Sequence, residues 1–385
     1  MRFLKSFYFS KKELCPCDSG QTYEQCCYIR VEKNVNDKEK LNDIRKTFTD
    51  KKKVISMCLY PSKERCKSKS IDAHALQNNR ILSLLEEKKH LITLNIKKQG
   101  IVVGTNRKDF DVIQEFDLCS VNQATTYRCF CKKHDNDLFA PIEKIGCDFD
   151  KNNNEQKFIY AYKSFIFEYY KELVVITSMQ KLFKKYPSLT KQFMIVKIYR
   201  DTKLKIEEMN YYKEIFDKGI LLKNYDDFKT EVIEIDGKIS IANFACIAPN
   251  FDLQGKRIKN VRSKRMRRIF MTIFPTEDKS YILVSYLNED KEVYNNLIQQ
   301  IRSEDIEKIK LYFNYITLLY SENIVISPKL WNTFSDFDKK RVTVIANAKD
   351  KDFVRFDVSF SMLMKNVHRN NIKLDSSKSS VNLLR

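Results

Sequence analysis

The sequence predicts an α+β protein of several domains, on three observations. Residues 154–186 carry aromatic and aliphatic side chains at helical spacing, whereas 228–287 contains runs of β-branched and aromatic residues. Nine of the eleven cysteines and three of the four histidines fall before residue 135. The first two observations require both kinds of secondary structure, and the third sets a metal-rich N-terminal third apart from the rest. A chain of 385 residues can divide into two or three such bodies and bury a core in each without cross-links. The expected divisions are a zinc knuckle at 1–30, a linker or helix at 31–53, a zinc-stapled unit at 54–150, a helical pair at 151–223, a mixed α+β domain at 224–370 and a flexible tail at 371–385.

The opening stretch MRFLKSFYFSKKEL has only a short apolar patch, broken by Lys5, and no small-residue cleavage site follows it. No window reaches the roughly 18 apolar residues of a membrane span. The expected compartment is therefore the reducing cytoplasm, where clustered thiols hold metal in preference to disulfides.

The stretch CPCDSGQTYEQCC, residues 15–27, places Cys15, Cys17, Cys26 and Cys27 in a C-x-C-x8-C-C spacing. A turn at Gly20 lets both halves meet on one tetrahedral zinc with sulfur ligands at about 2.3 Å. The pattern CPC, then Ser19-Gly20, then Tyr23, then the adjacent cysteine pair resembles the SEC-C motif, the zinc-binding tail of a bacterial preprotein translocase motor that is also appended to many unrelated proteins. That resemblance implies a bound zinc and a recognition knob for a protein partner. The residues between the cysteines depart from it, because Gln21, Thr22, Glu24 and Gln25 stand where the family is commonly basic and Asp18 replaces its usual glycine.

A second ligand set can be drawn from Cys58 and Cys66, across a turn at Pro61, and from Cys131 and His134 in CFCKKH. Cys129 is left outside it. The expected metal content is about two zinc ions. Between these pairs lie SIDAHALQNNR, with Asp72 and His74, then a helix around Ile81 to Leu85 and a hairpin centred on Gly100. The order of a cysteine pair, Asp and His, Asn, and a closing Cys and His pair is similar to the HNH endonucleases, whose ββα-metal fold is often stapled by a zinc of the treble-clef kind. The resemblance implies that His74 is the general base and that Mg²⁺ or Mn²⁺ is held by His90 or Asp135. The residues themselves leave two other roles for His74, a zinc ligand in place of Cys58 or Cys66 and a polar cap at a helix start. Asp135, Asp137 and Glu143 are candidates to orient His134, to hold Mg²⁺ or to cap the helix begun by DNDLF.

From Asn154 the pattern is that of two long helices joined at Pro187, the first with Phe158, Tyr162, Phe165, Ile166 and Tyr169 on one stripe and the second capped by Ser188 and running toward Gly219. A short connection makes them an antiparallel pair. FKTEVIEID, KISIANFACIA, RIFMTIFP and SYILVSYL then read as strands, EVYNNLIQQI and IEKIKLYFNYITLLY as helices and RVTVIAN as a last strand.

Lysine and arginine total 70 against 50 acidic residues, a formal charge of +20. Such an excess favours an anionic partner, nucleic acid foremost. It is concentrated in GKRIKNVRSKRMRR, where Lys256, Arg257, Arg262, Lys264, Arg265, Arg267 and Arg268 are expected to contact phosphates. No nucleotide-binding loop, Rossmann glycine fingerprint or serine-hydrolase elbow is present. The sequence thus leads to a zinc protein that engages nucleic acid, with HNH-like cleavage in antiviral defence as the finer expectation. A zinc-stabilised docking subunit for a protein or ribosome is the competing class.

Overall fold

The computed structural model describes residues 8–32, 36–49, 55–62, 66, 69–103, 110–144, 146–261, 265–347 and 381–384. Arg262, Lys264 and the expected tail up to residue 380 lie outside them. The fold is α+β, and the chain forms two compact units of non-consecutive segments. One unit gathers Met1–Met57, Ile96–Ile113 and Tyr169–Lys213; the other gathers Cys58–Asn95, Gln114–Glu168 and Glu214–Arg385.

In the first unit, helix α1 (Asp37–Thr49) lies on the lower part of a long helix and the start of another, here α4 (Asn154–Lys185) and α5 (Phe193–Leu222). Within this unit α4 and α5 are antiparallel: Tyr169 donates to Asn210 at 2.7 Å, and Lys205 pairs with Glu172. Ser188 does not cap α5. A 3₁₀ turn, Pro187–Lys191, intervenes, and the Ser188 backbone N–H donates to Glu32 at 2.9 Å.

The second unit holds β1 (Ser70–His74), a π turn at Asn78–Leu82 that leads into the single helical turn α2 (Ser83–Leu85), the part of β2 (His90–Val103) up to Asn95, the part of β3 (Phe110–Ser120) from Gln114, then β4 (Thr126–Cys131) and α3 (Lys132–Glu143). No turn occurs at Gly100, since β2 runs on through it to Val103. Among the described residues β1 pairs only with β4, antiparallel, with Ser70 opposite Cys131 and His74 opposite Thr126.

The strands expected after residue 224 are present as β5 (Phe228–Asp236), β6 (Ile241–Ile247), β7 (Ile269–Pro275) and β8 (Lys279–Leu287). A two-residue strand β9 (Val325–Ile326) completes a seven-stranded sheet of order β3-β2-β9-β6-β7-β8-β5. Every residue of β6 and β7 is buried, which matches their continuous apolar runs. Helices α6 (Lys291–Ser303) and α7 (Ile306–Tyr320) contribute Leu297, Ile301, Tyr312 and Ile316 to the same core as Ile241, Met271 and Val284. The first turns of α4 also belong here, and Phe158 packs so closely on α5 that a Cβ at Gly219 would come within 2.7 Å of its ring. Gly219 is therefore an interior helical residue, and the helix continues to Leu222.

Two expectations for the C-terminal region are overturned. RVTVIAN is not a strand but the end of α9 (Asp336–Ala346), which follows the short α8 (Pro328–Asn332). The end of the expected flexible tail is core: Val381, Leu383 and Leu384 are fully buried, and the Asn314 amide donates to the Val381 carbonyl at 2.7 Å. Burying such side chains contributes about 2 kcal/mol each. Deleting 381–385 is accordingly expected to lower the unfolding free energy by roughly 5 kcal/mol in urea titration. An unchanged midpoint would show that these residues add nothing to the core.

Candidate metal centres

The first cluster is built by local backbone geometry. Asp18 and Gly20 adopt left-handed conformations, with φ of 60° and 76°, and fold the chain back so that the Cys15 N–H donates to Gln21 at 2.8 Å and the Tyr23 N–H to Glu13 at 2.8 Å. This brings one sulfur atom from each of Cys15, Cys17, Cys26 and Cys27 within 4.8 Å of one another, all four residues buried. Cys17 Sγ lies 3.4 Å from Cys15 and 3.5 Å from Cys26. Tetrahedral ligands at about 2.3 Å from zinc are about 3.8 Å apart, so the four thiols fit the ion.

Burial pushes the Cys15 and Cys27 thiols up. At Cys26 the same burial is outweighed by hydrogen bonds, first from Ser19 and then from Cys17, which bring it down to about 7. A divalent cation resolves this crowding by taking the sulfurs as thiolates.

The knuckle is continuous with the core of its unit. Its four cysteines and Tyr23 share one cluster with Ile44, Met179, Phe183, Leu189 and Tyr199, and the Tyr23 hydroxyl lies 2.8 Å from that of Thr190. Arg200 sits over the Phe9 ring at 4.8 Å and pairs with Glu13 at 2.9 Å. Leu14, Ile29 and Val31, in and just after the knuckle, are exposed.

The second cluster joins Cys58, Cys66, Cys131 and His134, with their ligand atoms again within 4.8 Å. His134 Nδ1 is 3.3 Å from Cys58 Sγ and 3.4 Å from Cys131 Sγ, so Nδ1 is the nitrogen that faces the metal position. The sequence folds this way because β4 ends at Cys131, which is the N-cap of α3, and His134 follows in the first turn. Cys58 is brought alongside by the Leu59 N–H, which donates to the Cys129 carbonyl at 2.8 Å. The Tyr60 ring stacks on His134 with centroids 4.0 Å apart and planes 8° off parallel. Burial raises the Cys58 thiol to about 11. Three thiolates on a zinc leave a net negative centre, and the N-terminus of α3 faces it with the favourable end of the helix dipole. Cys129 is fully buried and is no ligand. Strand alternation would put Cys129 and Cys131 on one face, so the turn from β4 into α3 separates them.

His74 belongs to neither cluster. It closes strand β1 and is not a helix cap, and its Nδ1 lies 3.1 Å from the Ala124 carbonyl. Asp72 forms a two-pronged ion pair with Arg128, at 2.8 and 3.1 Å. The groups expected to hold Mg²⁺ or Mn²⁺ are not gathered among the described residues. His90 is exposed with Nδ1 2.8 Å from the Lys88 carbonyl, and Glu143 pairs with Lys163. Burial raises the Asp135 carboxyl to about 6, against the pull of Lys163.

The basic run is partly turned inward. Arg265 is held by Asp290 through both guanidinium nitrogens, at 2.9 Å each, and also pairs with Glu289. Arg267 bonds the Val261 carbonyl, and Arg268 is buried. Lys256 and Arg257 remain exposed. Arg265, Arg267 and Arg268 therefore stabilise the approach to β7 and do not extend as phosphate arms.

Comparison with known families finds a match between the SEC-C motif and residues 12–29, the segment that contains the whole first cluster. No curated protein and no solved structure matches the chain. The protein thus contains a SEC-C zinc-binding motif and a second Cys₃His set, which together fit two zinc ions. Among the described residues no helix is long and apolar enough to cross a membrane.

Proposed function

We propose that this two-zinc protein binds nucleic acid. Each zinc has four protein ligands and so no open position for water, which makes both sites structural and directs function to the surface. The observation that carries the reading is the excess of 70 basic over 50 acidic residues. Fluorescence anisotropy with labelled single- and double-stranded oligonucleotides tests it. Affinity is expected to fall by at least tenfold between about 50 and 200 mM salt, because releasing counterions into more concentrated salt gains less entropy. No binding at the lower salt would end this reading.

A second reading, phosphodiester cleavage with His74 as general base, is favoured by the geometry of that side chain. A carbonyl oxygen only accepts, so a hydrogen bond to Ala124 places the proton on Nδ1 and makes Nε2 the basic nitrogen. His74 also ends the first strand of a strand–strand–helix unit whose second strand leads directly to the zinc ligands Cys131 and His134. Such a strand–strand–helix arrangement is what an HNH-like unit requires, although β2 and β3 are inserted between the two strands here. His74→Ala is expected to lower cleavage by about 10²–10⁴-fold, with two zinc ions and oligonucleotide affinity retained. A parent protein that cleaves nothing in Mg²⁺ or Mn²⁺ would remove this second reading and leave the first.

A further inference from the structure

We infer that a cleft of about 290 Å³ in the second unit, between the starts of α4, β5 and α6, is a binding site for phosphate groups carried on a nucleic-acid strand. Lys157 from the first turns of α4, Lys229 from β5 and Lys291 at the head of α6 all line it. Three cations from such distant parts of the chain converge through the fold and not through a local charge run. None of the three ammonium groups makes a hydrogen bond or ion pair among the described residues.

One of the two lining carboxylates is already matched by an arginine. Glu231 receives Arg302 at 2.7 and 2.9 Å and the Tyr286 hydroxyl at 3.2 Å. Glu155 is not among the lining residues, and it keeps its charge while accepting from the Tyr225 hydroxyl at 2.9 Å. Of the lining acids only Asp226 stands against the three lysines, which leaves two positive charges in excess. The first residues of two helices, Asn154 and Lys291, also line the cleft, and each helix start adds partial positive charge. Like charges gathered in a concavity repel one another, and an anion relieves that cost. The expected basic run offers less, because Arg265 is already bound by two carboxylates.

This inference rests on the nucleic-acid reading for the source of the phosphates. The experiment compares the parent, the triple variant K157A/K229A/K291A and a control triple variant of exposed lysines outside the cleft, Lys12→Ala, Lys203→Ala and Lys218→Ala. Oligonucleotide binding is followed across salt, and tripolyphosphate binding by calorimetry, with zinc content confirming that each variant is folded. The cleft variant is expected to bind single strands more weakly, with the slope of log affinity against log salt reduced by about 2 for three lost contacts, and to lose tripolyphosphate; the control should change much less. Equal losses in both variants, or a parent slope in the cleft variant, would overturn the site while leaving nucleic-acid binding intact. Tripolyphosphate binding that disappears only in the cleft variant, in a protein that binds no oligonucleotide, would assign the site to free phosphates and end the nucleic-acid reading. Binding of neither probe by the parent would overturn both.

Discussion

Changing Cys26 and Cys27 together to serine is expected to lower the zinc content from two ions to one and to destabilise the first unit. Two of four ligands are removed, and the remaining pair, Cys15 and Cys17, cannot close a tetrahedral site. Structural zinc binding contributes on the order of 10 kcal/mol in zinc-finger peptides, and in a short knuckle that free energy is also its folding free energy. The consequence reaches beyond the knuckle because Tyr23 and the cysteines pack in one cluster with Ile44 of α1 and Met179 and Phe183 of α4. Hydrogen exchange should therefore quicken in α1 and in the α4 and α5 segments of that unit. The second zinc should stay, since its ligands belong to the other unit. Elemental analysis that still finds two zinc ions in the double variant would refute the assignment.

The first metal site was legible in the sequence because all four ligands fall within thirteen residues, and their spacing is itself the geometry. The second was legible from ligand chemistry, although β1 to β4 intervene between its halves. The long helices could be read from their aromatic stripe, whose members Phe158, Phe165 and Ile166 are all buried. Errors arose where a local pattern has two solutions. Val342, Val344 and Ile345 read as a strand, yet Val342 and Ile345 are buried three positions apart while Val344 is exposed, which is a helical face. A local signal for that helix was available: the Ser335 hydroxyl accepts from the Asp338 N–H at 3.1 Å, an N-cap. Other features could not be read locally at all. Arg265 meets Asp290 across twenty-five positions, and the lysines of the cleft meet only through the fold.

Replacing His134 by alanine is expected to remove the second zinc and to loosen the strand–strand–helix unit around it. The imidazole nitrogen lies within 3.4 Å of two of the three sulfurs, so its loss opens the coordination sphere and leaves three crowded thiols without a cation. Alanine also removes the face on which Tyr60 stacks, and that packing alone could account for some loss of stability. His134→Cys separates the two causes. It removes the stacking yet supplies a fourth thiolate, and a Cys₄ set holds structural zinc as a Cys₃His set does. The cysteine variant should keep two zinc ions and most of the parent stability, while the alanine variant keeps one ion and loses several kcal/mol, by the same coupling of metal to folding. Because β4 passes directly into α3 at Cys131, and Ser70 of β1 is paired opposite that residue, loss of the metal should also disturb the strand that ends at His74. Any activity of His74 should then fall in the alanine variant and return in the cysteine variant. Two zinc ions in His134→Ala would show that this histidine is a packed neighbour of the site and not its fourth ligand.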